Sequence, residues 1–476
     1  MNDHIEYESP LTKRYAGPEM RELFGAQRKF STWRRLWLAL AQAQRKLGLN
    51  ISDEQIKEMA EHLDDIDFAA AAKYEKEFRH DVMAHIHAFG DAAPAARGII
   101  HLGATSQFVV DNTDLILMRM AMDIISGSLA GVIDAFGSLA QRYRSLPCLA
   151  FTHFQPAQLT TFGKRAAVWC YDFALDLNEL QHRIDSLEFR SVKGTTGTQD
   201  SFLALFDGDH EKVRSLEKIV AEKMGFERIC PVTGQTYSRK VDAQIAAALA
   251  GIGASAHKFC NDVRLMSGMK EVDEPFGAAQ VGSSAMPYKR NPMRCERATA
   301  LARFLMDVSA SPMHTAAEQW LERSLDDSAN KRLAIPEAFL AADGILRIVL
   351  NVARGLVVYE GSVAAHVAAE LPFMASERIL MEAVKAGGDR QKLHEKIRQH
   401  SILACEQVKV HGRANDLISR LKDDGDFACV DIDSLLEPSA FIGRSPQQVD
   451  EFITAHVEPV RRHYAHKLGA KAELEV

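Results

Sequence analysis

The chain has 476 residues, 47% of them hydrophobic, and its 57 basic and 64 acidic side chains leave a net charge of -7. That length exceeds what a single hydrophobic core usually organises, so two or three domains are expected. Charges of both signs are well mixed, which excludes a global field drawing the chain to nucleic acid or to an acidic membrane surface; anion recognition has to be local.

Seven cysteines, at positions 148, 170, 230, 260, 295, 405 and 429, are odd in number, widely separated and form no Cys-x-x-Cys pair. The pattern predicts a reduced protein with neither a disulfide framework nor a structural zinc. Met1 to Tyr15 is charged and lacks a signal-like apolar run, and no later stretch is apolar without interruption over a membrane-spanning length. A soluble, cytoplasmic protein is expected.

From Pro18 to about Arg97 the pattern is one of short, capped helices, with Ser31 ahead of Trp33–Leu40 and Ser52-Asp53-Glu54-Gln55 opening another. This region also holds Arg14-Tyr15, Arg79-His80-Asp81, His85 and His87. Three histidines so close together raise the question of a metal. However, no carboxylate or cysteine stands at a zinc-ligand spacing, and hydrogen-bonding roles are favoured.

After His101-Leu-Gly-Ala-Thr105-Ser106 the texture changes. Leu117, Met120, Ile124, Leu129, Val132, Ile133, Phe136, Leu139 and Ala140 recur at helical steps up to Pro147. They predict a helix of roughly 40 residues, about 60 Å long. Pro156 reads as the first-turn proline of a second helix running to about Ser191, which places His153 just before a helix start. A third helix is expected from Ser238 to Lys270, rich in alanine and glycine. Two more are expected from Met293 to Leu321, interrupted at Pro312, and from Leu333 to Val358.

Polar clusters sit at the edges of these helices: Lys193–Gln199, Thr233–Ser238 with Gln235, and Arg323–Arg332 with Ser328. Arginines and hydroxyls at helix starts are suited to phosphate and carboxylate, although solvated caps would look the same. From Tyr359 the helices shorten again. The fold expected is all-α, with three helical domains at 1-105, 106-358 and 359-476. The central long-helix bundle, apolar on more than one face, would be buried partly by other copies of the chain.

Between two helical patterns lies Gly282-Ser283-Ser284-Ala285-Met286-Pro287-Tyr288-Lys289-Arg290-Asn291-Pro292. Its prolines keep it out of both helices, and its donors suit closure over an anionic ligand. The order Gly-Ser-Ser-x-Met-Pro-x-Lys-x-Asn-Pro resembles the signature of the fumarase/aspartase superfamily, whose members eliminate fumarate from a substituted succinate. Tyr288 and Arg290 look like its adenylosuccinate lyase branch, and the likeness extends from Arg14 to the Gly443-Arg444 region.

The resemblance implies that Ser283 is the general base and His153 the general acid, with Lys289 and Asn291 holding the succinyl carboxylates. It also implies that Arg14, Tyr15, Arg79, His80, Asp81, Thr105, Ser106, Gln235, Arg297, Arg323, Ser328 and Arg332 contact the nucleotide or the succinyl group. Glu296 matches the acid partner of the histidine, although a favourable first-turn helix charge is its plainer reading. The substrates implied are succinyl-AMP and the succinylated aminoimidazole carboxamide ribotide. Neither cofactor nor metal is expected, and the assembly implied is a homotetramer with active sites shared between chains. Another fumarate-releasing lyase acting on an arginine-type substrate, and a non-catalytic helical scaffold, are the rival readings.

Overall fold

The computed structural model describes residues 6–277, 280, 285, 286 and 288–469. Helices dominate, and the strands among the described residues form two antiparallel two-stranded pieces. The fold is all-α.

A π-turn at Leu11–Tyr15 leads into α1 (Pro18–Leu23), α2 (Ala26–Lys46), α3 (Asp53–Glu61), α4 (Phe68–Phe78) and α5 (Asp81–Ala92). The Ser52 hydroxyl and the Gln55 side chain cap α3 reciprocally, as their spacing predicts. Ser31 does not open a helix. Instead α2 begins at Ala26 after Gly25, and Ser31 is buried inside it, accepting from Gln27.

Trp33, Leu36, Trp37 and Leu40 of α2 are fully buried. Trp37 Nε1 donates to His101 Nδ1 over 2.8 Å, and His85 stacks on Phe30 with ring centroids 3.7 Å apart. Both imidazoles are therefore held in the neutral form. Burial, reinforced by the Arg34 charge, pushes His85 down to about 4, and burial with the His80 charge does the same for His101.

The long helices are α6 (Ser106–Arg142), α7 (Phe162–Ser186), α10 (Lys240–Gly268), α11 (Met293–Ala317) and α12 (Asp326–Gly355), with the short α8 (Asp200–Leu205) and α9 (His210–Lys223) between them. By length and composition α6 is apolar enough to cross a membrane, but 67% of its most apolar window is buried by its neighbours.

Three sequence expectations about these helices need correction. Pro156 starts no helix. Residues 147–161 form a hairpin, β1 (Pro147–Thr152) paired with β2 (Gln155–Thr161), and α7 starts only at Phe162, where the Thr161 hydroxyl accepts from Lys164 N. Pro156 has no N–H to donate and sits at the irregularity in the register opposite Phe151, a position that tolerates proline in a strand. The second correction concerns Pro312, which lies inside an unbroken α11; packing between α10 and α12 overrides its local cost. Finally, α12 starts at Asp326 rather than Leu333, so the polar residues 326–332 form its first turns.

Gly163 shows how tightly this joint is packed. A Cβ there would lie 2.4 Å from the Ala140 carbonyl oxygen and 2.5 Å from Arg144 Cα, so only glycine lets α7 cross the end of α6.

One end of the bundle is fastened by buried charge. Arg239, just before α10, donates from Nε to Asp327 of α12 over 2.7 Å and from Nη2 to Asp111 of α6 over 2.8 Å. Lys331 Nζ reaches Asp111 at 3.0 Å and Asp114 at 2.7 Å, and the Tyr237 N–H donates to Asp111 over 3.0 Å. Burial alone would raise the Asp111 carboxyl, but the charges of Arg239 and Lys331 outweigh it and hold the carboxyl well below the usual range. The N-termini of α6, α10 and α12 therefore share one end, and their carboxylates face the positive ends of the helix dipoles.

After β3 (Val272–Asp273), which pairs with β4 (Val357–Val358), the chain continues into α13 (Glu360–Lys385), α14 (Arg390–Lys409) and α15 (Leu417–Asp423). Ala375, Ile379, Leu393, Ile397, Leu417, Leu421 and Phe427 build a separate small core there. α16 (Ser445–Phe452) and α17 (Glu458–His463) then return to the bundle, where Val449, Ile453 and Val457 join the main core.

Asp111→Ala would leave Arg239 and Lys331 short of a buried counter-charge. It should cost about 3–5 kcal/mol, measured as the shift in a denaturant or thermal transition; a loss below about 1 kcal/mol would remove the cluster from this role. The two depressed histidines make a second, acid-side prediction. An unfolded imidazole titrates near its ordinary 6.5 while these stay neutral down to about 4. Protons therefore favour the unfolded chain in that window, and each histidine should give up about 1 kcal/mol between pH 7 and 5.5. His85→Phe should flatten the stability–pH curve there by about that amount; an unchanged slope would contradict the assignment.

Candidate active site

The expected site residues fall into three groups along the bundle. The first surrounds the signature stretch. Residues 281–284 and 287, with Ser283 among them, lie outside the described residues. Lys289 is exposed, with its N–H donating to the Met286 carbonyl over 3.0 Å. Arg290 lies 3.5 Å from Asp273 and over the Phe276 ring, and the Asn291 carbonyl accepts from Met293 N over 2.8 Å.

The stretch ends in the first turn of α11, where Glu296 is exposed and Arg297 half-buried. The Arg297 guanidinium lies 5.9 Å from the Tyr15 ring centre, so the Leu11–Tyr15 turn brings Tyr15, with the exposed Arg14 beside it, to this end. Tyr15 is seated against Gly344 of α12, where a Cβ would lie 3.0 Å from the tyrosine Cβ.

The second group gathers around the buried charge cluster. Thr105 and Ser106 open α6, and the next residue, Gln107, bridges Asp111 and Arg323 at 2.9 Å each when its amide is oriented to satisfy both. Arg323 Nη1 donates to Gln235 Oε1 over 3.0 Å and Nη2 to Asp327 over 3.2 Å. Ser328 follows Asp327 in the same first turn. Arg323 Nε is buried and finds no partner among the described residues.

Glycine makes the meeting of these polar segments possible. At Gly197, with φ of 85°, a Cβ would fall 1.8 Å from the Thr233 carbonyl oxygen, and at Gly234 one would fall 2.4 Å from that of Glu322. The Lys193–Gln199, Thr233–Ser238 and Arg323 segments are thereby stacked backbone against backbone. On the outer side Arg332 pairs with Asp81 at 3.1 Å, His80 caps α5 through Nδ1, and Arg79, with φ of 55°, closes α4.

His153 forms the third group by itself. Together with Phe154 it makes the two-residue turn of the hairpin, with φ of 54° and 57°, both left-handed as a tight hairpin turn requires. Its ring is exposed, and among the described residues no hydrogen bond or ion pair reaches it. α6 has 37 residues and is therefore about 55 Å long. The turn at 143–145 and the extended residues 146–153 together return at most about 35 Å of that. His153 thus stays about 20 Å or more from Ser106 of the same chain.

Sequence reasoning passed over Gln107 and Asp111. The i, i+4 spacing of Gln107 and Asp111 on a face that is otherwise apolar was the available signal. His85 and His101 are used inside the first helices, and among the described residues no three His, Cys, Asp or Glu side chains are grouped to hold a metal.

A family model described as lyase matches residues 17–306, and one described as adenylosuccinate lyase C-terminus matches residues 372–452. Adenylosuccinate lyases from Schizosaccharomyces pombe and Saccharomyces cerevisiae are each 51% identical over 462 residues, covering 96% of both chains. That of Schistosoma mansoni is 48% identical over 480 residues and covers both chains completely. Among solved structures, the 3-carboxy-cis,cis-muconate lactonizing enzyme of Pseudomonas putida superposes with a TM-score of 0.81 at 21% identity, covering 96% of this chain and 99% of its own. The fumarate lyase of Mesorhizobium sp. BNC1 gives 0.79 at 22%, covering 94% and 100%. At such identities these two likenesses speak for the fold alone. With half of its residues shared across nearly the full length of the yeast enzymes, the chain belongs to the adenylosuccinate lyase family of the fumarase/aspartase superfamily.

Proposed function

We infer that this chain eliminates fumarate from succinyl-AMP, giving AMP, and from the succinylated aminoimidazole carboxamide ribotide in purine biosynthesis. One observation carries the reading: the signature stretch stands intact in a chain about half identical, end to end, to proteins named adenylosuccinate lyase. The arginine-substrate and scaffold readings have no comparable support.

In the chemistry we propose, Ser283 takes the proton from the succinyl carbon next to a carboxylate. The electron pair moves into that carboxylate, which Lys289 and Asn291 steady, and then forms the fumarate double bond as the carbon–nitrogen bond breaks. His153 gives a proton to the departing nitrogen, and a carboxylate such as Glu296 on its other ring nitrogen would fix the tautomer that can do so. Arg14, Tyr15, Arg79, His80, Asp81, Thr105, Ser106, Gln235, Arg297, Arg323, Ser328 and Arg332 are proposed to hold the nucleotide and the succinyl group. No step calls for a metal. A cytoplasmic location and division into domains at 1-105, 106-358 and 359-476 belong to the same proposal.

The reading also needs more than one copy of the chain. Ser106 and His153 are too far apart within one chain to touch one substrate, so sites are proposed to form where neighbouring chains run in opposite directions, in a homotetramer. The exposed Val168, Tyr171 and Leu175 of α7, and Trp320, Leu321, Leu325 and Leu333 around the start of α12, supply apolar surface for such contacts.

Purified protein with succinyl-AMP should release fumarate, followed by absorbance. Ser283→Ala should lower kcat by about 10²–10⁴-fold while calorimetry still detects substrate binding, and turnover within tenfold of wild type would remove Ser283 from the base role. Mixing inactive His153→Ala and Ser283→Ala proteins under subunit exchange should restore about a quarter of the wild-type sites. Hybrid tetramers on a native gel without restored activity would refute the shared site.

A further inference from the structure

The helix that leaves the signature stretch begins without a cap of its own. The N-cap of α11 is Pro292, which offers its first-turn N–H groups no side-chain acceptor. The acceptor comes from 20 residues upstream, on the other side of the stretch. Glu274 Oε2 takes the Arg294 N–H over 3.0 Å, and its Oε1 takes the Cys295 N–H over 2.6 Å. Its side chain is buried, with the residue 7% exposed, so both bonds are shielded from water. A buried carboxylate on two N–H groups at the positive end of a helix is a strong, charge-assisted cap.

The clamp closes from the opposite side as well. Arg294 donates from Nη1 to the Pro275 carbonyl and from Nη2 to Gln280 Oε1 over 3.4 Å. The neighbouring acids are occupied elsewhere: Asp273 accepts from the Tyr359 hydroxyl over 2.7 Å and faces Arg290, while Glu271 binds His366. Glu274 alone of this acidic run caps the helix. Glu296 and Arg297 follow Cys295 directly, in the turn whose N–H groups Glu274 holds.

We propose that Glu274 is a positioning residue for the elimination. By fixing the first turn of α11 it sets where Glu296 and Arg297 stand; it does not itself touch the substrate. The proposal rests on the roles assigned above to those two residues. An uncapped first turn frays, and a displacement of about 1 Å at a reacting group can cost about 10²-fold in rate.

The test compares Glu274→Gln and Glu274→Asp with wild-type enzyme. The glutamine turns an –NH2 towards one of two backbone donors, while the aspartate keeps the charge and is short enough to reach only one of them. Glu274→Gln should lower kcat by about 10–100-fold, and Glu274→Asp should recover part of the loss. Amide hydrogen exchange at residues 294–297 should quicken in both, with the helix beyond Ala298 unchanged. Leu421→Ala, in the separate small core, serves as a control for general loss of stability and should keep the wild-type kcat.

Glu274→Gln within about twofold of wild-type kcat would overturn the proposal. So would unchanged exchange at 294–297, or an equal loss of kcat in a control matched for melting temperature. Should Glu274→Gln fail to fold, the same readouts on Glu274→Asp decide. Wild-type protein that releases no fumarate would instead defeat the functional reading, while the exchange measurement would still report on the cap.

Discussion

Everything at one end of this bundle depends on a guanidinium kept out of water. Arg239 is 1% exposed, and the carboxylates of Asp111 and Asp327 that bind it are wholly buried. Desolvating such a group is expensive, and only the surrounding carboxylates, which more than offset the penalty, keep its charge firmly in place. Because those carboxylates come from α6 and α12 while Arg239 introduces α10, the arrangement fixes the relative height of three long helices. Apolar packing, which tolerates sliding, would fix it less sharply.

That fixed height carries over to the candidate residues. Gln107 and Arg323 are tied into the same cluster, so Ser106, Gln235 and Ser328 inherit their positions from it. Towards the other end Tyr15 and Arg297 are held by separate contacts. A continuous helix thus separates the two groups of candidate residues, and the spacing is set by α6.

Much of this was legible in the residues. Apolar steps of three and four gave the long helices and most of their ends, the Ser52/Gln55 pair gave a capped start, and the signature stretch gave the family. The hairpin at 147–161 was not legible, because Pro156 suits the first turn of a helix as well as an edge position in a strand, and the choice was made by contacts with residues far away in sequence. The early start of α12 was hidden similarly: Asp327 and Lys331 read as part of a polar helix edge until Arg239 and Asp111 are seen to neutralise them. Charged residues look solvated in a sequence when their partners lie hundreds of positions away.

The turn that presents His153 sets stability against use. Residues with side chains pay about 1–2 kcal/mol to adopt the left-handed conformation, and here His153 and Phe154 adopt it in succession. Glycine at either position would relieve that strain and tighten the hairpin, yet at 153 it would also delete the imidazole. Selection for robustness alone would therefore erase the histidine. The acid role proposed for His153 would account for a turn that stability alone does not favour.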